Sequence, residues 1–264
     1  MSDGVRLERR GSIALVTLDR PERMNALSRS VVARFGEIGR ELEAELETDA
    51  ALRLVIVTGA GDKAFCAGAD LKERAGMSDD EVRALLVAYE TELGWLETIG
   101  VPTLAAINGA ALGGGLELAL LCDLRVAAEH AVLGLPEVSL GVIPAAGGTQ
   151  RLPRLLGEAR AKELILRAAR LSAPEALMLG LINQILPKGA DLLLEAQSFA
   201  EPILDAAPLA VRAALKALRG ALTRELRAGL ALERAEYEAC LKSEDRKEAL
   251  AAFADKRKPV FRGR

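Results

Sequence analysis

Two glutamates in apolar surroundings have the side chains and setting for acid/base chemistry. Glu117 closes the stretch Asn108-Gly-Ala-Ala-Leu-Gly-Gly-Gly-Leu-Glu117 and runs on into Leu-Ala-Leu-Leu, while Glu137 follows Pro136 twenty residues later. A carboxylate among leucines is costly to bury unless it is protonated, hydrogen-bonded or paired, and burial raises its pKa towards the range where general acids and bases work. Either glutamate alone would fit a structural role, bound to an arginine or a backbone N–H. The glycines beside them add a second kind of chemistry. Gly113, Gly114 and Gly115 lie between an apolar run ending near Ile107 and an apolar helical stretch. A strand-to-helix turn there leaves N–H groups unpaired, with the positive end of the helix dipole facing the turn. Glycine also lets a ligand carbonyl come close to the backbone. A second turn of small residues, Phe65-Cys-Ala-Gly-Ala-Asp70, follows the apolar run at 54–58 and the loop Gly59-Ala-Gly-Asp62. Two such turns can supply the paired N–H donors of an oxyanion hole for a thioester enolate.

Several other chemistries are excluded by counting. The chain has one histidine, His130, in Ala-Glu-His-Ala, and Glu137-Val-Ser-Leu-Gly141 lacks the first glycine of a nucleophile elbow. His130 therefore reads as a surface-turn residue. Leu118 breaks any G-x-G-x-x-G pattern, and no G-x-x-x-x-G-K-[ST] occurs, so dinucleotide and nucleoside triphosphate sites are not expected. Cys66, Cys122 and Cys240 are far apart with no C-x-x-C, which argues against a zinc site or a disulfide framework and suits a reducing compartment. With 35 Lys and Arg against 38 Asp and Glu, the net charge of −3 leaves no broad footprint for nucleic acid or an anionic membrane. Neither the N-terminal residues nor any apolar run reads as a signal or a membrane span. The expectation is a cytoplasmic protein, with no metal and no membrane partner.

The elements that must position these residues follow from periodicity. Residues 12–18, 54–58, 103–107 and 124–127 read as strands; 28–47, 79–98, 114–122 and 149–156 read as helices. This alternation predicts an α/β fold with parallel strands and crossover helices. Half of the 264 residues are apolar, enough for one large core. From Asp191 onward, Ala-, Leu-, Glu- and Arg-rich segments broken at Pro202, Pro208 and Thr223 predict three or four helices and no strand. The chain divides into a core over 1–190 and a helical region over 191–264.

Three segments carry a resemblance: Ala64-Phe-Cys-Ala-Gly-Ala-Asp-Leu-Lys72, Ala106 to Ala119 with its glycine triplet, and Leu135-Pro-Glu-Val-Ser-Leu-Gly-Val-Ile-Pro144 with Gly147-Gly-Thr-Gln-Arg-Leu152. They resemble the enoyl-CoA hydratase/isomerase (crotonase) family over essentially the whole chain. That resemblance implies a repeated ββα core carrying the CoA and catalytic site, with the C-terminal helices serving oligomerisation and active-site capping. It implies coenzyme A thioester substrates and no bound prosthetic group. It places the oxyanion hole at the N–H groups of Ala69 and Gly114. Glu117 would activate the water that attacks Cβ, and Glu137 would deliver the proton to Cα. Having both glutamates favours hydratase over isomerase chemistry and over a merely CoA-binding scaffold. Many relatives have glycine where this chain has Ala145, whose N–H helps to hold the water; alanine restricts φ there. CoA binding is implied for Arg23, Ala26, Leu27, Ala67, Asp70, Leu71 and Lys72, with Arg23 and Lys72 as phosphate contacts. Phe253 and Lys256 match positions that reach the adenine end from a neighbouring subunit, which implies a homotrimer or a homohexamer built as a dimer of trimers.

Within the family, the segments at 70–82 and 114–127 are similar to the branch acting on 3-methylglutaconyl-CoA, whose acyl group ends in a carboxylate. Arg74, with Lys72, is the expected cation; the alternatives are a general short-chain hydratase or an isomerase. A relative in that branch binds RNA through a lysine-rich helix. The corresponding stretch here, residues 37–49, is strongly acidic and would repel phosphates, so no nucleic-acid partner is expected.

Overall fold

A computed structural model describes residues 4–48, 51–187, 189–221 and 223–264. Asp49 and the first three residues, used above, lie outside them. Among the described residues, ten strands form two sheets. The larger contains β1 (Val5–Arg10), β2 (Ile13–Leu18), β3 (Leu54–Gly59), β5 (Thr103–Ile107), β7 (Leu124–Ala128) and β10 (Gln184–Leu186), in the order β1-β2-β3-β5-β7-β10. Only the β1–β2 hairpin is antiparallel. The smaller sheet is β4 (Ala64–Cys66), β6 (Ala110–Leu112), β8 (Val132–Gly134) and β9 (Arg170–Ser172), in that order. The helices are α1 (Arg29–Thr48), α2 (Leu71–Arg74), α3 (Asp79–Leu93), α4 (Trp95–Thr98), α5 (Gly114–Leu121), α6 (Gly148–Leu156), α7 (Glu158–Leu166), α8 (Ala173–Met178), α9 (Leu192–Asp205), α10 (Pro208–Ala221), α11 (Leu226–Lys242) and α12 (Glu244–Ala254).

The repeat is ββα, the crotonase-like core. In β3-β4-α2, β5-β6-α5 and β7-β8-α6, the first strand joins the large sheet, the second joins the small one, and a helix follows. Strands β2, β3 and β5 are buried along their whole length, as continuous apolar runs require when a parallel sheet is covered on both faces. One face packs against α1, α3 and α5; the other, through Leu15, Ile56, Leu104 and Val126, packs against Ala196 and Ala200 of α9. The first of the C-terminal helices is thus part of the core.

Two buried amides fasten the loops near the small sheet. Asn25 and Asn108 both donate from Nδ2 to the Ala64 carbonyl, at 2.7 and 3.0 Å, and Asn108 Oδ1 accepts from the Gly59 N–H at 3.1 Å. The expected single helix over 79–98 is divided at Gly94. Gly94 still donates to the Glu90 carbonyl, but Glu97 donates back to Gly94, three residues away. Trp95 then turns inward, packing over Gly39 and donating from its indole N–H to the Phe35 carbonyl at 3.0 Å.

Candidate active site

Helix α5 starts at the glycine triplet, and its first turn faces the turn that follows β4. Gly113 has φ +54° and ψ −128°, a conformation open to glycine and little else. Its N–H donates to the Gly134 carbonyl at 2.9 Å, and a Cβ there would lie 3.0 Å from Glu137 Oε1. Across the gap, Gly68 has φ +90°, and Leu27 pairs with Ala69 as in a parallel ladder: Leu27 N–H donates to Gly68 at 2.8 Å, and Asp70 N–H to Leu27 at 3.2 Å. That pairing uses the groups flanking Ala69 and turns its own N–H away. Among the described residues, neither the Ala69 nor the Gly114 N–H donates to any protein acceptor. A methyl built on Gly114 would lie 3.8 Å from the Ala69 nitrogen, so the two free donors flank one small space.

The two glutamates are held differently. Glu117, in the first turn of α5, is 3% exposed, and its Oε1 accepts from the Ala146 and Gly148 N–H groups at 2.8 and 2.7 Å. Burial pushes its pKa above the ordinary carboxylate value, and those N–H bonds and the Arg151 charge pull it back. Glu137 opens the 3₁₀ turn Glu137–Leu140, and its Oε2 is buried with no hydrogen-bond partner. Burial, reinforced by the negative field of Glu117, raises its carboxyl to about 7. Glu117 is therefore the better carboxylate and Glu137 the better carboxylic acid. Ala145 has no positive φ, so the backbone there asks nothing that alanine lacks.

Both glutamates, Ala69 and Gly114 line one cavity of about 200 Å³, with Ala67, Leu71 and Arg74 on its wall. Its apolar lining comes from Leu86 on α3 and from Leu140, Val142 and Ile143. Other expected residues stand off this wall. Arg23 is exposed at the end of the turn Pro21–Arg23, with Ala26 and Leu27 buried beneath it. Asp70 caps α2 through the Glu73 N–H and pairs with Arg20 at 3.3 Å, and Lys72 is exposed. Phe253 is 87% exposed, and Lys256 is exposed with φ +54°. His130 occupies an exposed turn, its Nε2 2.9 Å from the Asp62 carbonyl. Among the described residues, no cluster of three His, Cys, Asp or Glu could hold a metal, and no helix is long and apolar enough to cross a membrane.

Sequence reasoning missed Tyr89, a buried residue of α3 on the cavity wall, and Arg151. Arg151 grips both carboxylate oxygens of Glu97 at 2.6 Å and donates to the Ala146 carbonyl at 3.0 Å, bracing the turn that holds Glu117. The period of three to four in Leu85, Leu86, Tyr89 and Leu93 carried a signal for Tyr89 as an inward residue.

The model of the family described as enoyl-CoA hydratase/isomerase matches residues 8–264. An enoyl-CoA isomerase/hydratase, fer4, of Mycosarcoma maydis is 48% identical over 94% of this chain and 92% of that protein. A short-chain-enoyl-CoA hydratase of Clostridium acetobutylicum is 39% identical over 97% of this chain and 96% of that one. The crystal structure of an enoyl-CoA hydratase from Bacillus anthracis superposes with a TM-score of 0.94 at 43% identity, covering 99% of this chain and 100% of that one. The chain belongs to the enoyl-CoA hydratase/isomerase family of enzymes.

Proposed function

We propose that this chain reversibly adds water to a 2-enoyl-CoA thioester. The observation that carries the reading is the unequal holding of two carboxylates beside two free N–H donors. In hydration, the thioester carbonyl oxygen sits between the Ala69 and Gly114 N–H groups. Glu117, ionised and fixed by Ala146 and Gly148, takes a proton from the water whose oxygen bonds to C3. Negative charge develops on the thioester oxygen, where the two N–H groups stabilise it. The neutral Glu137 carboxyl then gives its proton to C2, and dehydration reverses these steps.

The substrate in this reading is 3-methylglutaconyl-CoA, converted to 3-hydroxy-3-methylglutaryl-CoA. Arg74 supports it: the side chain lines the cavity, and no carboxylate among the described residues forms an ion pair with it. Arg23 and Lys72 are left on the surface for CoA phosphates, with the pantetheine running along Ala26, Leu27, Ala67, Asp70 and Leu71. The name of the Clostridium relative supports a second reading, a general short-chain hydratase. That of the Mycosarcoma relative supports isomerase chemistry through Glu137. Phe253, exposed beside Lys256, fits a trimer or a pair of trimers in which it meets a neighbour's CoA; light scattering of the purified protein tests this. Cys66, Cys122 and Cys240 are free thiols, which suits the cytoplasm and is tested by cell fractionation. The exposed side of α1 carries Glu37, Glu41 and Glu47, which disfavours RNA.

Hydration of 3-methylglutaconyl-CoA and crotonyl-CoA by the purified enzyme, with Glu137→Gln beside it, tests the reading. Preference for the methylglutaconyl ester, lost in the variant, is the expected result. Equal or better use of crotonyl-CoA would make this a general hydratase, and hydration of neither would overturn the reaction.

A further inference from the structure

Among the described residues, only two buried side-chain oxygens have no hydrogen-bond partner: Glu137 Oε2 and the hydroxyl of Tyr89. Both residues line the catalytic cavity, and the hydration chemistry uses only the first. Tyr89 is 5% exposed, so its hydroxyl has given up water and received nothing in return from the protein. A ligand in the cavity can supply the missing partner.

Its position narrows what the ligand offers. Tyr89 and Leu86, three residues apart on α3, face the cavity together, as do Arg74 and Leu71 on α2. Tyr89, Leu86 and Ile143 also wall a neighbouring, more open cavity of about 760 Å³, in which none of the oxyanion-turn residues Gly68, Ala69, Gly113 and Gly114 takes part. Tyr89 thus stands where the two cavities meet, on the α3 wall with Leu86. The field of Arg74 reaches its phenol and favours the charged form, while burial keeps the hydroxyl protonated and able to donate. Carboxylates that also act on it, Glu73 and Glu117, favour the neutral form as well.

We propose that the Tyr89 hydroxyl donates a hydrogen bond to an oxygen at the far end of the acyl group, beside Arg74, so that the site selects acyl thioesters with a distal carboxylate. The inference rests on the reading that this cavity binds an acyl-CoA thioester, and it makes Tyr89 a specificity residue of that site. The competing role is a hydroxyl that holds the attacking water next to Glu117, which would serve every substrate alike.

The test separates the two with saturated esters that bind without reacting. Calorimetric titration of glutaryl-CoA and butyryl-CoA into the wild type, Tyr89→Phe and Arg74→Gln gives the ratio of the two affinities for each protein. The phenylalanine keeps the ring, and a melting curve confirms that each variant is folded. Wild type is expected to prefer glutaryl-CoA, and the preference should fall about tenfold in Tyr89→Phe, the worth of one charge-assisted hydrogen bond, with Arg74→Gln lowering it in the same sense. A ratio unchanged in Tyr89→Phe, whether both affinities fall together or neither falls, overturns the proposal. Because binding alone is read, a preference for glutaryl-CoA that falls in Tyr89→Phe, in a protein that hydrates no enoyl ester, would refute the reaction proposed above while supporting the role of Tyr89.

Discussion

Gly114→Ala separates binding of the thioester oxygen from stability of the fold. The added methyl would lie 3.4 Å from Leu27 Cδ1, 3.6 Å from Gly68 Cα and 3.8 Å from the Ala69 nitrogen, all ordinary contacts. Gly114 is the first residue of α5 and does not have a positive φ, so alanine fits its backbone. Replacing a helical glycine by alanine is worth about 0.5–1 kcal/mol, and the melting temperature should hold or rise slightly. At 3.6 Å from Gly68 Cα and 3.8 Å from the Ala69 nitrogen, the methyl stands between the two donor turns and crowds the space that the carbonyl oxygen needs. Loss of oxyanion donors of this kind costs about 2.7–4 kcal/mol, or about 10²–10³ in kcat. The assay is the loss of the ultraviolet absorbance of a conjugated enoyl thioester on hydration, read beside a melting curve. A folded variant with activity within about threefold of wild type would show that the carbonyl is bound elsewhere. Gly68→Ala provides the contrast: at φ +90°, with a Cβ 2.8 Å from the Leu112 carbonyl, it should lower stability and activity together.

Glu137→Gln should lower hydration by about 10²–10⁴, the worth of a general acid. In the wild type, kcat/KM should rise with pH as Glu117 ionises and fall near pH 7 as Glu137 loses its proton; the pair titrates as a unit, and the variant should lose the fall. Because the fold holds Glu137 neutral, unfolding is favoured as pH rises from the ordinary 4.5 to about 7, so over that window the melting temperature of Glu137→Gln should gain on that of the wild type. Arg151→Met should release the Ala146 turn and lower kcat about tenfold with little change in KM, since the residue acts through Glu117; a change confined to KM would refute that role. Asn25→Ala strips partners from the Ala60 and Ala64 carbonyls and the Arg20 N–H and should cost about 1–3 kcal/mol by chemical denaturation, with no loss expected if those groups find water instead.

What could be read from the chain depended on how local its signal was. The runs at 54–58 and 103–107 are strands buried on both faces, and their continuous apolar character marked them directly. Glycines 113 to 115 and the small residues of Phe65 to Asp70 were legible as turns because they come after the apolar runs at 103–107 and 54–58, although Phe65 and Cys66 themselves belong to β4. The small sheet was not: β4, β6, β8 and β9 are three residues each, too short to show a period. Strand β1 was missed because its sequence, Val-Arg-Leu-Glu-Arg-Arg, is more charged than apolar and it lies at the sheet edge. Helix 79–98 was read as continuous because nothing local says that Trp95 must reach the Phe35 carbonyl. Glu117 and Glu137 were visible as out-of-place carboxylates, but the groups that fix Glu117 come from 29 and 31 residues further along the chain. Arg151 and Tyr89 escaped for the same reason, being an unremarkable cation and an unremarkable inward aromatic until the fold places them.

The same long-range placement gives two identical side chains opposite electrostatic settings. Glu117 and Glu137 share one cavity, and burial raises both pKa values, so burial alone cannot decide which is acid and which is base. Two things decide it. The Ala146 and Gly148 N–H groups give Glu117 donors that favour its charged form, and Arg151, gripped by Glu97, keeps that turn in place. Glu137 receives no such donor at Oε2 and feels the charge of Glu117, so its proton stays. The two effects reinforce each other: every step that makes Glu117 more ionised makes Glu137 harder to ionise. The Ala146 turn therefore sets the acid strength of a residue it does not hydrogen-bond, and releasing it through Arg151 should shift the fall near pH 7 as well as lower kcat.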